Sequence, residues 1–319
     1  MMYIWESDVN VWENKSIIQT ALHCCSAIYQ NAPHAYLNQD ETKLKHNVTE
    51  LKFVGDYSNE KLDNSTRFLV AMDSDGNMFI AFRGTFTIED WKQNGNIGLS
   101  EDVDFGVGRF HDGFLNKATN INIGNLIQVI DVVAPKSIIT TGHSMGGCIS
   151  SLIHLKLLQR YTKDGELSPS QEFLNFTFGA PLFGNHVAVS FFNNNARDTN
   201  MFHFVNTADI VPAILSIGHV FKTLKKNSTL VSGLTDWVSK NKSALDIVDK
   251  CFNAALTFCG QIGIVQNLTI EAFLKNYSQL KDSLQNNSTL FKYYTDNDYV
   301  PIGNYIFLQK QQNARYECR

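Results

Sequence analysis

The run SIITTGHSMGG, residues 137–147, constrains this chain more than any other stretch. Residues 137–143 are β-branched and apolar enough for a short buried strand. From Met145 to Tyr161 the apolar spacing becomes helical, so a strand turns into a helix with Ser144 at the joint. A residue there sits on a sharp, strained bend with backbone close on both sides. Glycine at positions 142 and 146 removes the β-carbons that would collide. The helix that follows has unpaired amides and a partial positive charge at its first turn, where a developing oxyanion is stabilised. Ser144 is therefore a candidate nucleophile in the pattern G-x-S-x-G. The plain alternative is a glycine-rich turn without chemistry.

The flanking sequence supplies the context this pattern requires. Residues 16–29 carry a helical stripe at 17, 18, 21, 22, 25 and 28. Residues 67–84 are two β-rich runs around an Asp-Gly turn, which predicts a hairpin. Residues 114–134 predict one helix stopped by Pro135, and 172–179 and 201–206 predict strands with a helix between them. Alternating strands and helices predict an α/β fold on a mainly parallel sheet. After about residue 240 the character changes to helix, loop and helix, closing with VPIGNYIFLQ. The whole of 1–319 is expected to form one domain, with 240–319 a helical extension packed on the core. That extension is the part expected to meet any protein partner.

Two further signals surround the serine in the chain. IAFRGTFTIEDW, residues 80–91, ends a β-run at Thr85, whose amide and hydroxyl are suited to hold an oxyanion together with the Met145 amide. FVNTADIVP, residues 204–212, places Asp209 just after a strand, and the order Ser…Asp suits a serine hydrolase of α/β type.

Taken together, FRGTFTIEDW, GRFHDGFL, TGHSMGG, FTFGAPLFGN and FVNTADIVP resemble the class 3 (fungal-type) lipase family. FGAPLFGN, the helical stretch 242–285 and the late VPIGNYIFLQ look like the lipase-like domain of plant regulators of the enhanced-disease-susceptibility type. The resemblance implies an α/β-hydrolase fold, nucleophile Ser144, acid Asp209, and oxyanion donors Thr85 and Met145. It also implies that residues 86–98 occupy the position of a lid, with Gly95 and Gly98 as hinges. That segment has few large apolar side chains for a lipid surface.

The general base is the open element. All nine histidines lie at or before residue 219, whereas the family's catalytic histidine comes well after the acid. The expectation is therefore either a chain that stops before the base or a lipase-like domain that does without hydrolysis. Strand alternation predicts that His143 points away from Ser144 as a core histidine, and His111 and His203 are read as structural. His219, after Asp209, is a weak candidate base.

A net charge of −4 gives no reason to expect nucleic acid as a partner. The N-terminal residues lack the pattern of a secretory signal, and no window has the roughly 18 unbroken apolar residues of a membrane span. Six scattered cysteines are read as reduced, which with the lack of a signal suggests a cytoplasmic location. No metal or organic cofactor is expected. The functional expectation is a hydrolase of lipid, acylglycerol-like esters. The competing expectation is an impaired, lipase-like interaction scaffold, and a thioesterase or peptidase on the same fold shares the motif.

Overall fold

The computed structural model describes residues 14–57, 66–84, 99–102, 105–163, 166–167, 172–194, 200–206, 209, 211–213, 299–310 and 316–318. Its centre is an eight-stranded sheet whose spatial order follows the chain. The strands are β1 (Lys52–Tyr57), β2 (Phe68–Met72), β3 (Asn77–Phe82), β4 (Ser137–His143), β5 (Glu172–Phe178), β6 (Met201–Asn206), β7 (Asn304–Lys310) and β8 (Tyr316–Cys318). Pairing is antiparallel from β1 to β3, parallel from β3 to β7, and antiparallel again for β7 with β8.

The central strands are apolar on both faces because both faces are covered. Successive side chains of β3 alternate between two cores. Met78, Ile80 and Phe82 join the larger one, whereas Phe79 and Ala81 join the smaller one. The larger core is closed by α4 (Asp112–Thr119), α5 (Ile123–Val133), α6 (Met145–Tyr161) and α7 (His186–Asn194). The smaller is closed by α1 (Lys15–Ala27) and α2 (Pro33–Asn38), with α3 (Asp40–His46) following.

Two elements depart from the sequence reading. The helix expected over 114–134 is two helices, broken at 120–122. Asn122 starts the second by accepting a hydrogen bond from the Asn125 amide at 3.1 Å, and Ala134, at φ 48°, ends it in a left-handed C-cap. The stop is thus set by Ala134 as well as by the proline after it. In the range expected to be a helical extension, Asn304–Lys310 is a strand that pairs in parallel with β6 from Phe202↔Asn304 to Asn206↔Leu308. Residues 214–298, which include the stretch 242–285 expected to be helical, lie outside the described residues. No helix among the described residues is long and apolar enough to cross a membrane.

Helix α6 carries the most burial, with every residue from Met145 to Leu158 buried. Its polar side chains are therefore obliged to find partners inside the protein. Asn175 on β5 supplies several. Its Nδ2 donates to Thr140 Oγ1 at 2.9 Å and Ser150 Oγ at 3.1 Å, and its Oδ1 accepts from Ser151 Oγ at 2.9 Å. Lys156 forms an ion pair with Asp102 at 2.8 Å, both side chains buried, with Phe105 beneath the ammonium at 5.7 Å.

One buried cluster is less well satisfied. His203 Nδ1 shares a hydrogen bond with the Thr177 hydroxyl at 2.6 Å and its ring also meets the Ile302 backbone, but both ring nitrogens of His154 and the Tyr305 hydroxyl have no hydrogen-bond partner. Burial holds the His154 imidazole down to about 3, with nearby His203 adding to the shift, and that of His203 to about 4, with the Ile302 backbone opposing the shift. Both rings are therefore neutral in the fold, while an unfolded chain takes up protons near the ordinary value of 6.5. Their contribution to stability is complete above that value and is lost as pH falls from there toward 4 and 3. Denaturant titrations across this range should show stability falling with acid. His154→Leu should lower the slope by up to about 1.4 kcal/mol per pH unit.

Candidate active site

Parallel strands end together, and a ligand site in such a sheet forms beyond their carboxyl ends. Here β3, β4, β5 and β6 lead respectively to Gly84, Ser144, Gly179 and Asp209. Ser144 has φ 54° and ψ −129°, a conformation costly for any residue with a β-carbon, and stands immediately before α6. Its amide donates to Phe178 O at 2.9 Å, and its carbonyl accepts from the Gly147 amide at 2.9 Å. The turn is therefore anchored to the neighbouring strand on one side and to its own helix on the other.

Both glycines of the pattern are sterically required. A β-carbon on Gly142 would lie 2.1 Å from Gly146 O, and one on Gly146 would lie 2.2 Å from Phe82 O. Gly147 meets the same limit, since its β-carbon would lie 2.6 Å from Ala180 Cβ. Strand β3, strand β4, the first turn of α6 and the start of the 179–185 segment thus touch at backbone distance.

Asp209 is set by its own loop. Its amide donates to Asn206 O at 2.8 Å, and one carboxylate oxygen accepts from the Val211 amide at 2.9 Å. The other faces Gly179, whose β-carbon would stand 3.0 Å from it and whose φ is 58°. Burial raises the carboxyl above its ordinary value, and the Val211 amide and the His143 ring oppose that shift.

Ser144 and Asp209 line one cavity of about 600 Å³ together with Gly179, Val211, His143 and Tyr29. Leu22, Cys25 and Ser26, all on α1, complete its wall. The expected nucleophile and acid are thus brought together. Met145 is the first residue of α6 and is buried, with its amide at the positive end of the helix. Thr85 lies outside the described residues, as do the expected lid at 86–98 and His219. The residue before Thr85 is described, and a β-carbon on Gly84 would reach within 3.5 Å of Ser144 Cβ.

The reading of His143 as a core histidine is corrected. Its side chain is exposed and lines the cavity beside Ser144. At the last position of β4 the side chain leans over the rim of the sheet, where alternation between two covered faces no longer applies. Packing against the cavity wall lowers its imidazole from the ordinary value, while Asp209 acts to raise it. Its Nδ1 shares a hydrogen bond with the Tyr29 hydroxyl at 3.1 Å. His111 and His203 are buried, and His111 serves as a helix cap, its Nδ1 accepting from the Gly113 amide at 3.1 Å. Among the described residues no group of three or more His, Cys, Asp and Glu side chains is placed to hold a metal ion.

The sequence reading missed the contribution of α1. Its stripe signalled a core-facing helix but gave no sign that Leu22, Cys25 and Tyr29 border the cavity.

Comparison with known proteins gives similarities in sequence and in fold. Residues 79–218 match the family described as Lipase (class 3). Protein EDS1B of Arabidopsis thaliana is 24% identical over 279 residues, which is 76% of this chain and 40% of that protein. Lipase-like PAD4 of the same plant is 30% identical over 83 residues, 26% of this chain and 14% of that protein. The chain thus spans less than half the length of these two curated relatives. Among solved structures, a Rhizomucor miehei lipase propeptide complex superposes with a TM-score of 0.52 at 23% identity, covering 65% of this chain and 63% of the other. The Rhizomucor miehei triacylglyceride lipase gives 0.50 at 27% identity, covering 65% and 76%. Residues 79–218 are thus similar in sequence to the class 3 lipases, and the mostly parallel sheet with its helices has the α/β fold of the fungal lipases.

Proposed function

We propose that this chain is a carboxylic ester hydrolase acting on lipid, acylglycerol-like esters, with Ser144 as its nucleophile. The observation that carries the proposal is the shared cavity. Ser144, strained at the head of α6, and Asp209, held by the Val211 amide, both open into it. In this reading Ser144 Oγ attacks the ester carbonyl, and the Met145 amide and Thr85 hold the tetrahedral oxyanion. Asp209 orients the imidazole that takes the serine proton and passes it to the departing alcohol as the ester C–O bond breaks, and water then hydrolyses the acyl-serine to free the acid and regenerate Ser144. The similarity to a triacylglyceride lipase supports the choice of lipid ester. A cytoplasmic location is part of the proposal, supported by the free, buried thiols of Cys24, Cys25 and Cys148.

The imidazole is the component still to be assigned. His143 is the described histidine that lines the cavity, and its Nδ1 is engaged by Tyr29 rather than by Asp209. A second reading, an interaction scaffold that keeps the hydrolase frame, has its own support. The similarity to Protein EDS1B runs over 279 residues, well beyond the matched family range of 79–218, and PAD4 is named lipase-like.

A fluorophosphonate probe and a set of p-nitrophenyl and acylglycerol esters separate the two. The wild-type chain should be labelled and should turn over esters. Ser144→Ala should lose labelling and lower turnover by about three orders of magnitude or more. Equal turnover in the variant, or no labelling of folded wild type, would favour the scaffold. Asp209→Asn should cost about 10³–10⁴-fold in turnover with the melting temperature little changed, since the carboxylate acts by orienting the base.

A further inference from the structure

The parallel ladder stops short of the residues that face one another across the site. The last pair between β3 and β4 is Phe82 with Gly142, so Gly84 and Ser144 lie beyond the register on both strands. The Arg83 amide still reaches Arg67 O at 2.9 Å. The next amide, of buried Gly84, donates to the Tyr29 hydroxyl at 3.1 Å. That same oxygen shares the 3.1 Å hydrogen bond with His143 Nδ1. One phenol, delivered just past the end of α1, therefore touches the residue before Thr85 and the residue before Ser144. The fit is close: a β-carbon on Gly84 would lie 2.2 Å from the phenol oxygen and 2.5 Å from His143 O.

We propose that Tyr29 is a positioning residue of this site, setting the distance between the strand end that leads to Thr85 and the turn that carries Ser144. The catalytic consequence rests on the hydrolase reading above, whereas the clamp itself rests on Gly84 and His143. Where strand pairing has ended, a buried amide takes the acceptor offered to it. Tyr29 offers one that is rigid, because its ring is packed edge-on against His143 with centroids 5.9 Å apart. Oxyanion donors act only when pre-set around the position the charged oxygen will occupy. A strand end free to shift would lose that setting without altering the cavity wall that binds the acyl part.

The test uses Tyr29→Phe in the full chain. Amide exchange at Gly84 and the ring ¹⁵N signals of His143 read the clamp. Phosphonylation of Ser144, resolved into probe affinity and rate of bond formation, reads its consequence. Expected are faster Gly84 exchange, a changed His143 ring signal, and a bond-forming step slowed by about ten- to hundredfold at unchanged probe affinity. His143→Ala, which alters an exposed side chain, should keep Gly84 protected and slow the same step less. Gly84 exchange and bond formation equal to wild type would overturn the proposal, and so would a change in affinity alone, which would make Tyr29 only a wall residue. If Tyr29→Phe does not fold, an unchanged bond-forming rate in His143→Ala overturns it. If wild type is not phosphonylated, the hydrolase reading fails, and Gly84 exchange with the His143 signal decides the clamp by itself.

Discussion

The structure depends on one crossing in which four backbone segments meet with no room for a side chain. Gly142 and Gly146 let the first turn of α6 drop onto the ends of β3 and β4, and Gly147 lets the same turn lie against Ala180. Everything around the site is referred to this contact. It lifts Ser144 clear of the sheet and directs α6 back across the larger core. It also brings the segment after β5 alongside, and Gly179 of that segment leaves space for the Asp209 carboxylate. The unfavourable backbone of Ser144 costs of order 1–3 kcal/mol. It is sustained because the neighbouring segments are themselves fixed by ladder bonds and by the buried Asn175 contacts to β4 and α6.

Helix α6 shows how that rigidity is obtained without a purely apolar interior. Serines 150 and 151, His154 and Lys156 are all buried on it. The two serines and Lys156 favour one arrangement of the helix on the sheet, because a rotation would leave each of them unpaired. The ion pair of Lys156 with Asp102 acts on the far part of the helix, and the Cys148 thiol, donating to Pro181 O at 3.2 Å, acts near its start. The buried, neutral rings of His154 and His203, the former without hydrogen-bond partners, are the weak point of this arrangement. They sit between the helix that begins after the nucleophile and the strand that leads to the acid. Acid is thus expected to act on the link between the two halves of the site as well as on Asp209 in the site itself.

How much of this was legible depended on whether the physics was local. The serine turn could be read because its steric demands fall on glycines at fixed spacing within five residues. The hairpin at 67–84 and the strands of 137–143, 172–178 and 201–206 were legible from β-branched or aromatic runs bounded by turn residues. The break at 120–122 was less legible, since its cap is an asparagine side chain inside a pattern that keeps helical spacing. Asn304–Lys310 sat within a range whose earlier part reads as helical, and its place in the sheet is set by pairing with β6, a partner about a hundred residues away. His143 was misread because alternation distinguishes two faces of a strand and says nothing at its rim. Tyr29 could not be found from sequence at all: its partners lie 55 and 114 residues further along the chain, and the helix stripe before it looks like any core-facing stripe.

The strained serine does not by itself decide between a hydrolase and a scaffold. Given the backbone contacts at Gly142 and Gly146, the bend at 144 follows from packing, and a chain kept only for its shape would retain it. The features that bear on the choice are those packing does not require. The half-buried Asp209 carboxylate lines the same cavity as the serine although burial disfavours its charge. Tyr29 spends its hydroxyl on two chain segments that the sheet has already released. An apolar residue at either position would leave an amide, that of Val211 or of Gly84, without the acceptor it has now. Polar groups placed in this way, around a cavity of about 600 Å³, fit a site that has to hold charge during a reaction better than a surface kept for docking.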